Sequence, residues 1–562
     1  MASARTVGRR RFIRTAFVLS SGAALLAACQ QASPAAPKAE TKPAEPPKPA
    51  AAAAATSAPA AAAPAPAQQS APAAVKRGGS ITLAQELDPV TLDPHKSSNF
   101  SAAQAFEHVY ESLTRYDDKL NVQPSLAERW EISPDGKQYT FFLRKDVKWH
   151  DGKEFTANDV RYWHERMMAK ETVAPFKNWF DSIEKMEVVD KNTVRAVLAN
   201  PYPPLLASFA AMRGAAIIPE GAGEKLNLAT QAIGTGPWKL SEFVPQSHIK
   251  YVRNPDYWEK DIPVLDELVM KIVPEEDARV AALRAGQVDY AFLSKDGADR
   301  LRSDKNLTIL ETPKAWLAAG QINSSRKPFD DKRVRQALRY ALDTEELIQK
   351  ATSGAAKPSG PIPTGHTDWF LKPEELRYAK PDLAKAKALL AEAGATNLKF
   401  TILCSPQYPE FVSIALVMQD TYKKLGINAE VEQIEWGNFT KRSAAPTFDY
   451  DISITAFTFF PDPDSYTYPY YHSKGTRNPT NSPGAQYKNP KVDELLDKGR
   501  QVNDKAQRLT IYNELQKLLE EESPFFWFYA GLNIEAVRSN VKGYVPSFTG
   551  RRPSLRTTSV EK

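Results

Sequence analysis

The sequence predicts an α/β fold, and three stretches carry that expectation. Between 124 and 160, Trp130 and Ile132, then Tyr139, Phe141 and Leu143, alternate with polar residues on either side of Ser133, Pro134, Asp135 and Gly136. A period of two flanking such turn residues predicts a hairpin with one buried face. EEDARVAALRAGQVDYAFL, ending at Leu293, reads as a helix stopped by Gly286 and followed by a strand. Between 383 and 457, LAKAKALLAEAG, KFTILCS, SIALVMQDTYKKLGINAEVEQI and DYDISITAF read helix, strand, helix, strand, strand. Such alternation predicts a sheet with helical cover.

Length and composition set the scale. At 562 residues, 42% hydrophobic and 10% aromatic, the chain can hold two to four domains with sizeable cores. The formal charge of +6 is misleading, because residues 1–28 hold five Arg and no acid. What remains is close to neutral and offers no case for nucleic acid. Of the two cysteines, Cys29 falls in the leader region, so Cys404 has no partner for a disulfide and reads as a buried strand residue.

Arg9, Arg10 and Arg11, with Arg14, precede an apolar run from Ala16 to Ala28 that fits an export signal. The run is too short to cross a bilayer, and the paired arginines match a twin-arginine leader. Leu26, Ala27, Ala28 and Cys29 form a lipobox pattern, which makes Cys29 the expected lipidation site and new N-terminus. From Gln30 to Lys76 the chain is dominated by Ala, Pro, Lys, Gln and Ser with no aromatic residue, the composition of a tether.

The folded part is expected to begin near Lys76 with the strand ITLAQ. Phe106, Val109, Tyr110 and Leu113 then predict one amphipathic helix over 102–117, with Glu107 and His108 at its surface. Thr156 caps a helix starting at Ala157, with Asp159 in its first turn. The pattern of Ile183, Met186, Val188, Val194 and Val197 gives two more strands before a Pro-rich bend and a helix. IGTGPW (233–238) has no following Lys-Ser/Thr pair for a phosphate, so its glycines shape backbone. In 323–346, Val334, Ala337, Leu338 and Ala341 form a buried stripe, and Arg333, Arg335 and Arg339 are expected on a solvated face. NPKVDELLDKGR (489–500) leads into a long helix ending near Glu522, and 524–544 supplies closing strands.

Six of these segments, including LAERW with SPDGKQYTFFLRKDVKWHDG and FTANDV, the GG-strand-LDP opening, IGTGPW, and the stretch at 323–346, resemble the family 5 extracellular solute-binding proteins of ABC importers. The resemblance implies a two-lobe periplasmic-binding-protein-like α/β fold with an extra subdomain in lobe 1 and a ligand cleft between the lobes. It places lobe 1 at 77–112, 231–315 and 525–562, the subdomain at 113–230, and lobe 2 at 316–524, after a signal peptide at 1–28 and a tether at 29–76. It further implies a monomer that uses no cofactor, takes a peptide or an oligosaccharide, serves an ABC permease and ATPase, and is held to a membrane by its N-terminal lipid.

No HExxH, GxSxG, GxxxxGK[ST] or paired CxxC occurs, and the seven His stand singly, so an enzyme or metal carrier ranks below a binding protein. His150 and Asp151 read as a turn. AFTFFPDPDSYTYPYYHS (456–473) is so aromatic, and so interrupted by Pro and Asp, that it reads as a cleft loop whose rings stack on ligand. The expected ligand contacts are Phe457, Phe459, Asp462, Tyr466 and Tyr468, with Trp316 and Trp436 as further candidates. The resemblance would put an ammonium-binding Asp where this chain has Phe459, so Asp462 takes over that contact or the ligand is a different one.

Overall fold

The period-two pattern around 124–160 does form a hairpin. Ala127–Ile132 pairs antiparallel with Gln138–Leu143, and Tyr139, Phe141 and Leu143 are buried. Thr193–Leu198 and Ile183–Asp190 extend it to a four-stranded sheet. Against it packs the helix Ala157–Met168, whose first turn is closed by Thr156 and Asp159: the Thr156 N–H donates to the Asp159 carboxylate at 2.8 Å. Trp163 meets Phe180 edge-on and Phe209 at 5.0 Å, so this subdomain has its own aromatic core.

The computed structural model describes residues 77–561, except 367, 444–446, 459–461, 476 and 479–486. The expected leader, Cys29, the tether and Phe459 lie outside the described residues.

An eleven-stranded sheet runs through the rest. On one side stand Asn428–Gln433, Lys399–Cys404 and Ile452–Thr458; on the other stand Tyr290–Leu293, Ser80–Gln85, Glu267–Ile272, His248–Arg253 and Trp238–Val244. Two long strands join the halves, Leu307–Ile322 and Phe525–Arg538, paired antiparallel with each other. Short Ala356–Pro358 also pairs with the second of them. The parallel pairing of Lys399–Cys404 with Asn428–Gln433 is bridged by the helix Pro409–Lys423 that the alternation predicts, while Ser80–Gln85 pairs parallel with Glu267–Ile272 across the whole subdomain. Each side packs its own buried cluster, the fold of a two-lobed α/β protein. Cys404 is fully buried in its strand, and burial pushes its thiol up to about 11.

Four expectations are corrected. The helix over 102–117 spans only Phe100–Phe106. Beyond it the carbonyls of His108 and Val109 accept from Trp238 N–H and Gly236 N–H, so the chain spends its hydrogen bonds on the IGTGPW segment instead of on a continuing helix. That segment and the C-terminal residues also bury Glu107 and His108, which are not at the surface. Arg335 and Arg339 are buried as well, donating to the carbonyls of Glu522 and Phe329 and to those of Leu342 and Trp527. Only Arg333 of the three keeps an exposed side chain. Finally, Asp464–Tyr471 is a helix rather than a loop, because Asp464 is buried against Arg500 and the tyrosines interlock with Phe525 and Trp527.

Candidate functional site

A cavity of about 1150 Å³ opens where the crossing strands leave lobe 1. Its lining comes from widely separated parts of the chain: 85–125, 210–213, Pro237 and Trp238, Phe292 and Leu293, the crossing strands at 314–316 and 532–534, Thr458, and the C-terminal segment 543–557. The crossing strands change register here. Pro313 pairs with Leu532, and the next pairing is Leu317 with Ala530, so residues 314–316 bulge out of the ladder. A bulge of this kind re-aims side chains beside a site. The Ala315 N–H donates to Phe548 O at 2.9 Å and fastens the bulge to the C-terminal segment.

Most charges of the lining are spoken for. Arg551 pairs with Glu107 at 2.8 Å, and the Arg552 N–H donates to the same carboxylate. The Arg552 guanidinium donates to Gln85, whose amide donates to Gln104, which in turn donates to the Gly550 carbonyl. It also lies 4.7 Å from the Tyr290 ring centre. Glu111 receives hydrogen bonds from Tyr257 Oη, Trp258 Nε1 and Thr235 Oγ1 at 2.8, 3.0 and 2.9 Å. Burial nevertheless pushes its carboxyl up, against those donors. Arg115 pairs with Glu259 at 2.8 Å. Arg213 lies over the rings of Phe100 and Phe176, and burial lowers its guanidinium to about 10.

Of the residues singled out from the sequence, Trp316 lines this cavity. Phe459 lies outside the described residues, and the others are placed elsewhere. Phe457 is buried against Tyr466, Tyr470 and Phe525. Tyr466 shares a 2.8 Å hydrogen bond with Tyr471, whose hydroxyl accepts from Trp527 Nε1. Tyr468 stacks on His472 and carries the Arg500 guanidinium 3.3 Å from its ring centre. Trp436 stacks on Phe439. Asp462 makes a two-pronged pair with Arg508 at 2.7 and 2.8 Å, so both its oxygens are engaged inside the protein. The ring cluster therefore packs lobe 2.

Sequence reasoning missed Lys314, Glu111, Arg213 and the Arg551–Arg552 pair. The one usable signal was the run RRP at 551–553, two adjacent cations in a tail expected to close a lobe. Among the described residues no group of His, Cys, Asp and Glu is arranged to hold a metal ion, and no helix is long and apolar enough to cross a membrane.

Two lobes joined by crossing strands, with a large cavity at the crossing, define a solute-binding protein. The chain belongs to the family described as bacterial extracellular solute-binding proteins, family 5 Middle, whose pattern matches residues 121–478. It is 30% identical over 502 residues to di/tripeptide-binding protein 2 of Pseudomonas aeruginosa, covering 83% of this chain and 92% of the relative. It is 31% identical over 517 residues to the dipeptide-binding protein of Escherichia coli, covering 85% and 94%. Among solved structures it resembles the ABC transporter-associated periplasmic binding protein DppA of Helicobacter pylori in complex with peptide STSA. That match has a TM-score of 0.69 at 26% identity over 87% of this chain and 99% of that one.

Proposed function

We propose that this protein is the extracytoplasmic receptor of an ABC importer, capturing a peptide between its lobes and delivering it to a membrane permease. The observation that carries the reading is the cavity at the bulge of the crossing strands, of a size that suits a short peptide. The peptide-binding names of the relatives support that class over an oligosaccharide, as does the packing of Phe457, Tyr466 and Tyr471 into the core of lobe 2. Cys29 carries lipid and anchors the mature chain outside the cytoplasm, the twin-arginine leader directs export, and the tether gives the receptor reach toward its permease. It acts as a monomer and performs no chemistry on its cargo.

Thermal-shift screening of purified protein against di- to nonapeptides, free and N-acetylated, tests this. A bound peptide at about 100 times its Kd stabilises the folded state by about 2.7 kcal/mol, a clear rise in Tm. Small-angle scattering should show compaction with the same peptide. Absence of any peptide response, with a response to neutral sugars, would overturn the peptide reading.

A further inference from the structure

Lys314 lines the cavity with no ion-pair partner among the described residues. It sits in the bulge between Pro313 and Leu317, where the ladder of the crossing strands is interrupted. Opposite it stands Gly531, where a Cβ would lie 2.5 Å from Lys314 Cε and 3.5 Å from the Trp316 ring. The absent side chain is therefore the space that the lysine stem occupies. The ammonium lies 4.7 Å from the Trp316 ring centre, a cation–π contact, and both residues line the cavity. Among the described residues, Lys314 makes no hydrogen bond and has no carboxylate within 4 Å. The two acids whose charge reaches it are engaged elsewhere: Glu410 accepts from Tyr529 Oη at 2.7 Å, and Glu86 lies 3.9 Å from Arg279.

A half-buried ammonium without an acceptor is costly, and burial lowers its proton affinity accordingly. Arg551, Arg552 and Arg115 lie in the same lining, each tied to protein acceptors. The bulge, the glycine seat and the aromatic ring hold one cation ready with its donors unused.

We propose that Lys314 is the anchor for an anionic group of the ligand, so that the cavity selects solutes carrying a carboxylate near the strand crossing. A carboxylate placed there forms a charge-assisted hydrogen bond that nothing in the described protein supplies. In a peptide the carboxylate is the C-terminus or an acidic side chain. This rests on the solute-receptor reading above and adds the charge of the cargo to it.

The test measures calorimetric affinities of wild type, Lys314→Met and Lys314→Arg for five probes. These are trialanine, trialanine amide, Ala-Glu-Ala amide, trigalacturonate and its methyl ester. Wild type is expected to bind an acid form about tenfold or more tightly than its neutral partner. Lys314→Met should erase that preference while Lys314→Arg retains it, and equal Tm values for the free variants would show that folding is intact. Trialanine binding only with its free acid assigns the C-terminus; rescue by Ala-Glu-Ala amide assigns an acidic side chain. Equal binding of acid and neutral forms, or a preference that survives Lys314→Met, overturns the inference and leaves the peptide reading standing. Binding of trigalacturonate alone, weakened by Lys314→Met, overturns the peptide reading and upholds the anchor. No response to any anionic probe overturns both.

Discussion

Gly234 and Val109 are locked against each other: a methyl group on Gly234 would stand 1.8 Å from the Val109 carbonyl oxygen. Gly236 is nearly as tight, at 2.6 Å from the same atom. The contact ends the first helix early and lays the IGTGPW segment beside the wall of the cavity. Gly234→Ala cannot relax by moving a flexible side chain, because the obstacle is backbone. Its cost is expected at or above the upper end of about 1–3 kcal/mol, read from the denaturant midpoint. A variant as stable as wild type would show that the two segments separate freely.

Glu520 gives stability an unusual pH dependence. It is buried on the helix Lys505–Glu522, and burial pushes its carboxyl up to about 7 despite the Arg339 charge and the Arg377 N–H. Glu535, on the second crossing strand, is raised to about 7 by the same cause. The folded state keeps protons that the unfolded chain releases from about pH 4.3 upward. Stability therefore falls as pH rises through the interval from there to about 7, and stays lower above it. Glu520→Gln should stabilise the protein at pH 8 by up to about 3 kcal/mol and change little at pH 4. Chemical denaturation at both pH values checks this, and a variant with the wild-type slope would refute it.

Asp462 responds in the opposite sense and at lower pH. Burial raises its carboxyl, but the Arg508 charge and hydrogen bonds outweigh that and hold it below the ordinary carboxylate range. Its contribution is present above the unfolded value and is lost as pH falls through the depressed one. Asp462→Asn leaves Arg508 buried without its counter-charge, at a cost of about 3–5 kcal/mol. Ligand affinity at 15 °C, below the variant's melting range, should be unchanged. A selective loss of affinity for free N-termini would instead make Asp462 an ammonium ligand.

The subdomain meets lobe 2 directly, with Leu120 packed against the lobe 2 core. The Arg500 guanidinium lies 5.8 Å from the Tyr202 ring centre, and Lys505 Nζ reaches Asn121 Oδ1 at 3.4 Å. Together such contacts are worth about 1–2 kcal/mol, enough to shift a two-state balance about tenfold. Tyr202→Ala with Lys505→Ala should raise the radius of gyration of the unliganded protein and weaken ligand binding by that factor. Unchanged scattering would mean that these contacts do not bias closure.

Cys29→Ser should leave the protein unacylated and move it from the membrane fraction to the soluble one. Mass spectrometry of the wild-type mature N-terminus decides the matter: a first residue other than Cys29 without an acyl chain would end the anchoring proposal.

Local chemistry was legible in the sequence, and burial by distant chain was not. The hairpin around Asp135, the Thr156 cap and the Gly286 stop follow from period and turn residues alone, and the structure has all three. Arg335 and Arg339 sit off the apolar stripe of their helix, as their spacing says, yet 522–527 covers them and supplies acceptor carbonyls. The tyrosines of 456–473 lack aliphatic neighbours in sequence but gain Phe525 and Trp527 in space. Trp316 could be named because it precedes the expected lobe crossing. Lys314, two residues before it, could not, since its importance depends on Gly531 and on a bulge that no period announces.

The strand Phe525–Arg538 lies inside the sheet, paired on both flanks, although both its neighbours, Tyr290–Leu293 and Leu307–Ile322, come much earlier in the chain. During synthesis, neither lobe's edge at that gap can find its neighbour until the chain through Arg538 has emerged from the ribosome. Such late, long-range pairing makes for slow assembly, so the nascent protein depends on protection of two incomplete sheet edges. A chain truncated before Phe525 loses the seam of both halves at once and leaves no separable lobe to rescue.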